Sequence, residues 1–322
     1  MPEPGLHTGR VLAAVVAALL MAACGGGGGE GGGDAPHDAY DLVFDATGAD
    51  GRSRLYRSDL AGRAPQPVAG GVIGTRATAL PSGQALLFSA NDPADPLSAP
   101  VLQWLDLASG QQRQLSPDGM AVEAEPSVSP DGAHVAFTSQ RDDPGGDIVV
   151  ARMANAALVE RRNLTPATPP TLGPDRTPAW SPDGQRIAFI AYRSGSPALW
   201  LMDRDGGNPR RITAPANEGD FSPSWSADGR LLAFQRVDAD PDAQGRLRSR
   251  IGLVAVEGGS PRWLALPYNA YDPRFSPDGK YLAFWVKSDD GGDICVASAE
   301  GIVRQCFGTP GIDRHPAWLR RR

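Results

Sequence analysis

Histidine, cysteine and long apolar runs are all scarce in this chain of 322 residues, and each scarcity removes a class of function. Of the four histidines, His7 and His37 precede the expected folded part. Only His134 and His315 remain, whereas a metal hydrolase or lyase needs several His or carboxylate ligands at compatible positions. No catalytic residue and no cofactor are expected, so the chain reads as a non-enzyme, with metal binding left open. The three cysteines, Cys24, Cys295 and Cys306, contain no Cys-x-x-Cys pair, which excludes the common redox and zinc motifs. The continuous apolar stretch at residues 11–23 falls short of the ~20 residues that a membrane-spanning helix needs. Positive charge is also short: the formal net charge is -6, which argues against a partner among nucleic acids, whose counterions only a cationic surface displaces.

Glycine and proline are plentiful, at 39 and 30 residues. Together with short hydrophobic runs they describe many brief strands joined by turns. The N-terminus reads differently. Arg10, the apolar stretch and Met21-Ala22-Ala23-Cys24 resemble a bacterial lipoprotein signal. That resemblance implies a signal peptide over residues 1–23 and lipidation of Cys24; the alternative is an ordinary secretory signal with an incidental cysteine. Acyl chains on Cys24 would anchor the protein to a membrane without a spanning helix. Residues 25–33 are glycine except for Glu30. They are expected to form, within 24–38, a tether to a domain spanning 39–322. Gly25 stands where an Asp marks inner-membrane retention in lipoproteins of double-membrane bacteria, which favours a periplasm-facing place on the outer membrane.

Internal repetition organises the rest. Ser129-Pro130-Asp131-Gly132, Ser181-Pro182-Asp183-Gly184 and Ser276-Pro277-Asp278-Gly279 are one tetrapeptide; Ser226-Ala227-Asp228-Gly229 is a near copy and Leu80-Pro81-Ser82-Gly83 a weaker one. Their glycines are roughly 45 to 52 residues apart, the span of a propeller blade. Proline presets the first central φ and glycine takes the left-handed position, as a hairpin turn requires. Five residues after each glycine stands Phe88, Phe137, Phe189, Phe234 or Phe284. Leu86, Val135, Ile187, Leu232 and Leu282 lie two before on the same face, with Leu87, Ala136, Ala188, Ala233 and Ala283 between them on the other. A bulky face on one blade and a small one on its neighbour would interdigitate. Ser116-Pro117-Asp118-Gly119 lacks the pattern behind it and is read as a loop copy.

These units resemble the WD40-like or PD40 repeats of TolB and of prolyl oligopeptidase-type peptidases, most clearly in Pro178-Ala179-Trp180-Ser181-Pro182-Asp183-Gly184 followed by Ile187-Ala188-Phe189. The resemblance implies an all-β, six-bladed β-propeller. Counting Phe44 with the five other phenylalanines gives the six, and Pro316-Ala317-Trp318 near the C-terminus is expected to supply a strand completing blade one. The Gly-x-Ser-x-Gly elbow of the peptidases is absent from the sequence.

Two polar features remain. Glu123, Asp175, Asp220 and Asp313 each lie three residues before a strand proline. Either they ring one channel mouth with His315, binding a cation or a basic segment of a partner, or they satisfy local backbone amides. Cys295 and Cys306 are symmetric about Glu300-Gly301 and would face each other across a hairpin, as a disulfide or as two buried thiols. The functional expectation is a monomeric domain that serves as a binding or scaffold module for an envelope protein or peptide. A structural accessory subunit is the alternative, and a metal-dependent enzyme acting in the propeller mouth a remoter one.

Overall fold

The Ser-Pro-Asp-Gly tetrapeptides at 129–132, 181–184 and 276–279 each close a hairpin through hydrogen bonds of their own. In the computed structural model of the chain the glycine amide donates to the serine carbonyl, at 2.8 Å for Gly132 and 2.9 Å for Gly184. Both glycines have a left-handed φ, 73° and 67°, which a side chain would strain. Serine Oγ accepts the amide five residues on, as Ser129 does from His134 at 2.9 Å and Ser276 from Tyr281 at 3.0 Å. Aspartate Oδ1 accepts the amide two residues on, 2.9 Å from Ala133 and 3.0 Å from Gln185. Such turns need no outside partner, so they can recur around a sheet assembly without local tailoring.

The structure describes residues 39–60, 64–91, 98–116, 121–166, 173–193, 195–216, 218–238, 247–266, 269–288 and 291–321. The expected signal, Cys24 and glycine tether lie outside the described residues, as does most of the 116–119 turn copy. The first strands are β1 (Tyr40–Thr47), β2 (Ser53–Asp59) and β3 (Gln66–Pro67). Next come β4 (Thr75–Ala79), β5 (Ala85–Ala90), β6 (Val101–Asp106) and β7 (Gln112–Gln114). A third group is β8 (Glu123–Val128), β9 (His134–Ser139), β10 (Asp147–Ala154) and β11 (Ala157–Asn163). The fourth is β12 (Asp175–Trp180), β13 (Arg186–Ala191), β14 (Ala198–Asp203) and β15 (Arg210–Arg211). The fifth is β16 (Glu218–Trp225), β17 (Leu231–Asp238), β18 (Ser249–Ala255) and β19 (Arg262–Trp263). The chain ends with β20 (Ala270–Phe275), β21 (Tyr281–Ser288), β22 (Gly291–Ser298), β23 (Val303–Phe307) and β24 (Ile312–Arg320).

The groups β4 to β7, β8 to β11, β12 to β15 and β16 to β19 are each a separate four-stranded antiparallel meander. The remaining strands form one eight-stranded sheet in the order β20-β21-β22-β24-β1-β2-β3, with β23 beside β22. This departs from the expectation of uniform separate blades. The cause is local: the parallel pair Gly292 and Ile312 bridges β22 to β24, where Gly292 has no side chain to hold the strands apart. The C-terminal β24 pairs antiparallel with β1 along its length, Tyr40 opposite Arg320 and Thr47 opposite Ile312, as Pro316-Ala317-Trp318 led us to expect. The strands β24, β4, β8, β12, β16 and β20 touch one another in that order and close a ring.

The core sits in the seams between neighbouring sheets. Phe44, Phe88, Phe137, Phe189, Phe234 and Phe284 are all fully buried. Phe189 and Ile187 pack with Ala136 of the preceding group, Phe234 and Leu232 with Ala188, and Phe284 and Leu282 with Ala233. The large-on-small alternation read from the sequence fills these seams, whereas Phe137 packs with the larger Leu87, and burying each phenylalanine contributes about 1.5–3 kcal/mol.

Candidate functional site

The six strands of the inner ring share one irregularity. In each of β4, β8, β12, β16 and β20 the register to the next strand shifts by one residue, and β24 does the same against β1. The residues at these bulges are Arg76, Glu125, Thr177, Ser222, Asp272 and His315, with φ between 47° and 60°. All but Arg76 precede a proline, which disfavours the right-handed helical region for them, and the extra residue of a bulge is left outside the ladder. These side chains line a central channel. Arg76, Glu125, Thr177 and His315 border the cavities on both sides of it and so form its waist.

Charges at the waist are tightly matched. Arg76 Nη1 is 3.4 Å from Glu125 Oε1, and Glu125 Oε2 accepts the Thr138 hydroxyl at 2.8 Å and the Thr177 amide at 3.0 Å. His315 lies between two carboxylates, with Nδ1 2.8 Å from Asp45 Oδ1 and Nε2 3.7 Å from Asp272 Oδ2. Asp272 also accepts Trp285 Nε1 at 2.8 Å and the Ser222 hydroxyl. Burial works to raise the Asp272 carboxyl, but His315, Arg76, Arg274 and Ser222 outweigh it and hold it well below the usual carboxylate range. Burial likewise opposes the charge on Arg76, yet Glu125, Asp272 and Asp45 raise it above its ordinary value.

One mouth is a cavity of about 550 Å³ walled by Tyr40, Trp180, Trp225, Phe275 and Trp318. Trp225 Nε1 donates to the Ala179 carbonyl and Trp318 Nε1 to that of Arg274, both at 2.9 Å, so each indole ties its strand to the neighbouring one. Pro182, Ala227 and Pro277, from the recurrent turns, rim this mouth. The opposite mouth is a cavity of about 470 Å³ bordered by Arg176, Tyr192, Phe221, Tyr271, Trp285 and Arg314.

The expected carboxylate ring of Glu123, Asp175, Asp220 and Asp313 is not at either mouth. All four are buried, and none borders either channel cavity. Glu123 meets Arg161, with Arg141 at 3.5 Å, and Asp175 meets Arg193. Asp220 takes Arg236 Nε at 2.5 Å. Arg161, Arg193 and Arg236 in turn lie over Phe137, Phe189 and Phe234, at 5.0, 5.7 and 5.5 Å. Burial raises the carboxyls of Asp175 and Asp220 against these partners. Asp313 has no arginine in that role; the Thr309 amide and hydroxyl donate to it at 2.6 and 2.7 Å, and burial pushes its carboxyl up to about 7. The correction has a physical reason, since the bulge inserts a residue and reverses the face on which the strand residues ahead of it project. His315, by contrast, is at the channel. Cys295 and Cys306 are paired across β22 and β23 and joined by a disulfide. Among the described residues no cluster of metal-ligating side chains is found, and no helix is long and apolar enough to cross a membrane.

Antiparallel meanders set around a channel with their inner strands at its wall define a β-propeller. The family model described as the TolB beta propeller domain, PD40, matches residues 97–321, and the chain belongs to that family. Among curated relatives it is 28% identical over 192 residues to an uncharacterized peptidase, YuxL, of Bacillus subtilis, covering 50% of this chain and 29% of the relative. It is 31% identical over 143 residues to the Tol-Pal system protein TolB of Anaeromyxobacter sp. (strain K), covering 44% and 21%. The matched part thus spans under a third of either relative. The crystal structure of TolB from Acinetobacter baumannii superposes with a TM-score of 0.71 at 19% identity, over 98% of this chain and 74% of that one. A puromycin-hydrolysing peptidase of Mycobacterium tuberculosis gives 0.54 at 18%, over 88% and 48%. These likenesses establish the fold.

Proposed function

We propose that this protein is a periplasm-facing envelope lipoprotein, anchored through Cys24 to the outer membrane, whose propeller binds a segment of a partner protein without catalysing a reaction. The observation that carries the reading is the aromatic mouth of about 550 Å³ closed at its base by a polar waist. Rigid indoles offer apolar area at little entropic cost, and the bulge residues supply hydrogen bonds in fixed positions, which is the composition of a recognition site. The kinship with a Tol-Pal system protein supports an envelope setting.

The propeller acts as a monomer of six blades in this reading. The eight-stranded sheet then counts as two blades joined by the single Gly292 and Ile312 pair. Six buried phenylalanines and six bulge residues around the channel support that count.

Two measurements test the proposal on the full-length chain in its native envelope. Labelled palmitate is incorporated by the wild type and not by Cys24→Ser. A photocrosslinking residue at Ala227, on the rim, yields a defined adduct that the same residue at Arg304, on the outer strand, does not. The adduct disappears in Trp225→Ala. Equal adducts from both positions, or an adduct indifferent to Trp225, would remove the channel mouth as the binding site.

A further inference from the structure

The mouth opposite the aromatic one holds two arginines that make no ion pair among the described residues. The Arg314 side chain, on β24, makes no ion pair and no hydrogen bond among the described residues, and its Nε is buried without a partner. Arg176, on β12, donates Nε and Nη2 to the Gly145 carbonyl, at 3.2 and 2.9 Å, and meets no carboxylate. Arg161 and Arg236, by contrast, are neutralised by Glu123 and Asp220. Both unneutralised groups border the cavity of about 470 Å³, and neither borders the other mouth. Two inner strands separate β12 from β24 in either direction around the ring, so the arginines stand on opposite sides of the channel.

Their surroundings hold them ready. The Arg314 guanidinium lies 5.4 Å from the Trp285 ring centre, and Trp285 stacks on Tyr271 at 4.3 Å. A guanidinium laid on an aromatic face keeps its plane fixed while its edge donors remain free, which is the arrangement that receives a carboxylate by two parallel hydrogen bonds. Ile190, Phe221 and Val237 give the cavity wall an apolar part. Thr177 Oγ1, also at this cavity, is buried without a hydrogen-bond partner. Buried donors left unmet lower stability, and an acceptor from a ligand removes that cost.

We propose that this mouth binds a small dicarboxylate, with one carboxylate on Arg314, the other on Arg176, and the linking carbon chain along the apolar wall. The cavity is of a size that takes small-molecule ligands. Glu125 and Asp272 also border it. A single charge delivered to each arginine is favoured there over a phosphate dianion, which would bring a second negative charge beside those carboxylates. This site does not depend on the partner reading of the other mouth.

The test is calorimetric titration of the detergent-solubilised full-length protein with the straight-chain dicarboxylates from succinate to suberate. Affinity peaks at one chain length, set by the separation of the two guanidiniums, and the matching diamide does not bind. Arg314→Gln and Arg176→Gln each weaken binding of the best dicarboxylate by about tenfold to a hundredfold, and the double variant loses the length preference. Arg304→Gln, on the exposed outer strand, changes nothing. Unfolding midpoints of the variants, measured in parallel, stay within a few degrees of the wild type because neither arginine neutralises a carboxylate. The proposal is overturned if no dicarboxylate binds at millimolar concentration, if both single variants bind as the wild type does, or if inorganic phosphate binds more tightly than every dicarboxylate.

Discussion

Asp45 Oδ1 lies 2.8 Å from Nδ1 of His315, a residue 270 positions away in the sequence, and the same oxygen accepts the Arg76 backbone amide at 3.0 Å. One buried carboxylate thereby joins β1 to the C-terminal β24 and to β4 of the next sheet. Asp45→Ala leaves the imidazole and the amide without their acceptor, and the expected loss is about 2–4 kcal/mol in denaturant unfolding. Asp50→Ala removes an exposed ion pair with Arg54 and leaves the midpoint where it was. Equal midpoints for the two variants would show that Asp45 is no clasp.

Asp313 makes stability depend on pH in an uncommon direction. Its folded carboxyl, pushed up to about 7 from 3.8, keeps its proton over a range in which the unfolded chain has released it. The unfolded state therefore binds fewer protons between about 4 and about 7, so stability falls as pH rises through that window and levels off above it. Asp313→Asn abolishes this slope and is the more stable protein at pH 8, by about 2–4 kcal/mol. Parallel stability curves for the two proteins between acid and neutral pH would contradict the assignment.

Closure by β24 accounts for a further prediction. Trp318 is 9% exposed and packs in the cluster with Leu42, Phe44 and Ala283. Trp318→Ala is expected to cost about 3–5 kcal/mol. Removing residues 312–322 uncovers the hydrogen-bonding edge of β1, and the expected outcome is a chain that elutes as aggregates in size-exclusion chromatography. A monomeric, cooperatively unfolding truncation would show that β24 is dispensable.

The Cys295 and Cys306 disulfide, with a sequence separation of 11, closes a short loop. By the loop-entropy argument it stabilises by about 2–3 kcal/mol. Cys306→Ser should therefore lower the unfolding midpoint under oxidising conditions and abolish the sensitivity to dithiothreitol that the wild type shows. An unchanged midpoint would place the bond outside the cooperative unit.

Much of the architecture was legible because it follows from local rules. The left-handed glycine of each turn and the Phe five residues later are set by hairpin geometry and by period-two alternation, and both hold throughout. The channel was less legible. Glu123, Asp175, Asp220 and Asp313 were legible as a recurrent position three residues before a strand proline, open to a mouth ring or to local amides, and that offset does not tell which face they occupy once a bulge intervenes. The signal was present in the sequence nonetheless: Glu125, Thr177, Ser222, Asp272 and His315 each stand directly before a proline, which cannot donate to a strand ladder and is found in sheets at edges and bulges. The arginines in closest contact with the buried acids follow no single offset. Arg193 and Arg236 lie 18 and 16 residues from their carboxylates, but Arg161 lies 38 from Glu123 and comes from a different strand of its sheet. Gly74, at the position corresponding to these acids in β4, has the opposite reason for its identity, because a Cβ there would come within 2.3 Å of the Phe88 ring.

The pairing of β1 with β24 on one side and β2 on the other also has a mechanical meaning. From Asp41 to Thr47 β1 is laced to both neighbours, so a pull along β1 loads both ladders. Its rungs then bear the load together, in shear, whereas a strand peeled from a sheet edge gives up its rungs one after another. A protein held at its N-terminus and tugged by whatever it binds would thus resist tearing at the seam where its ring is closed.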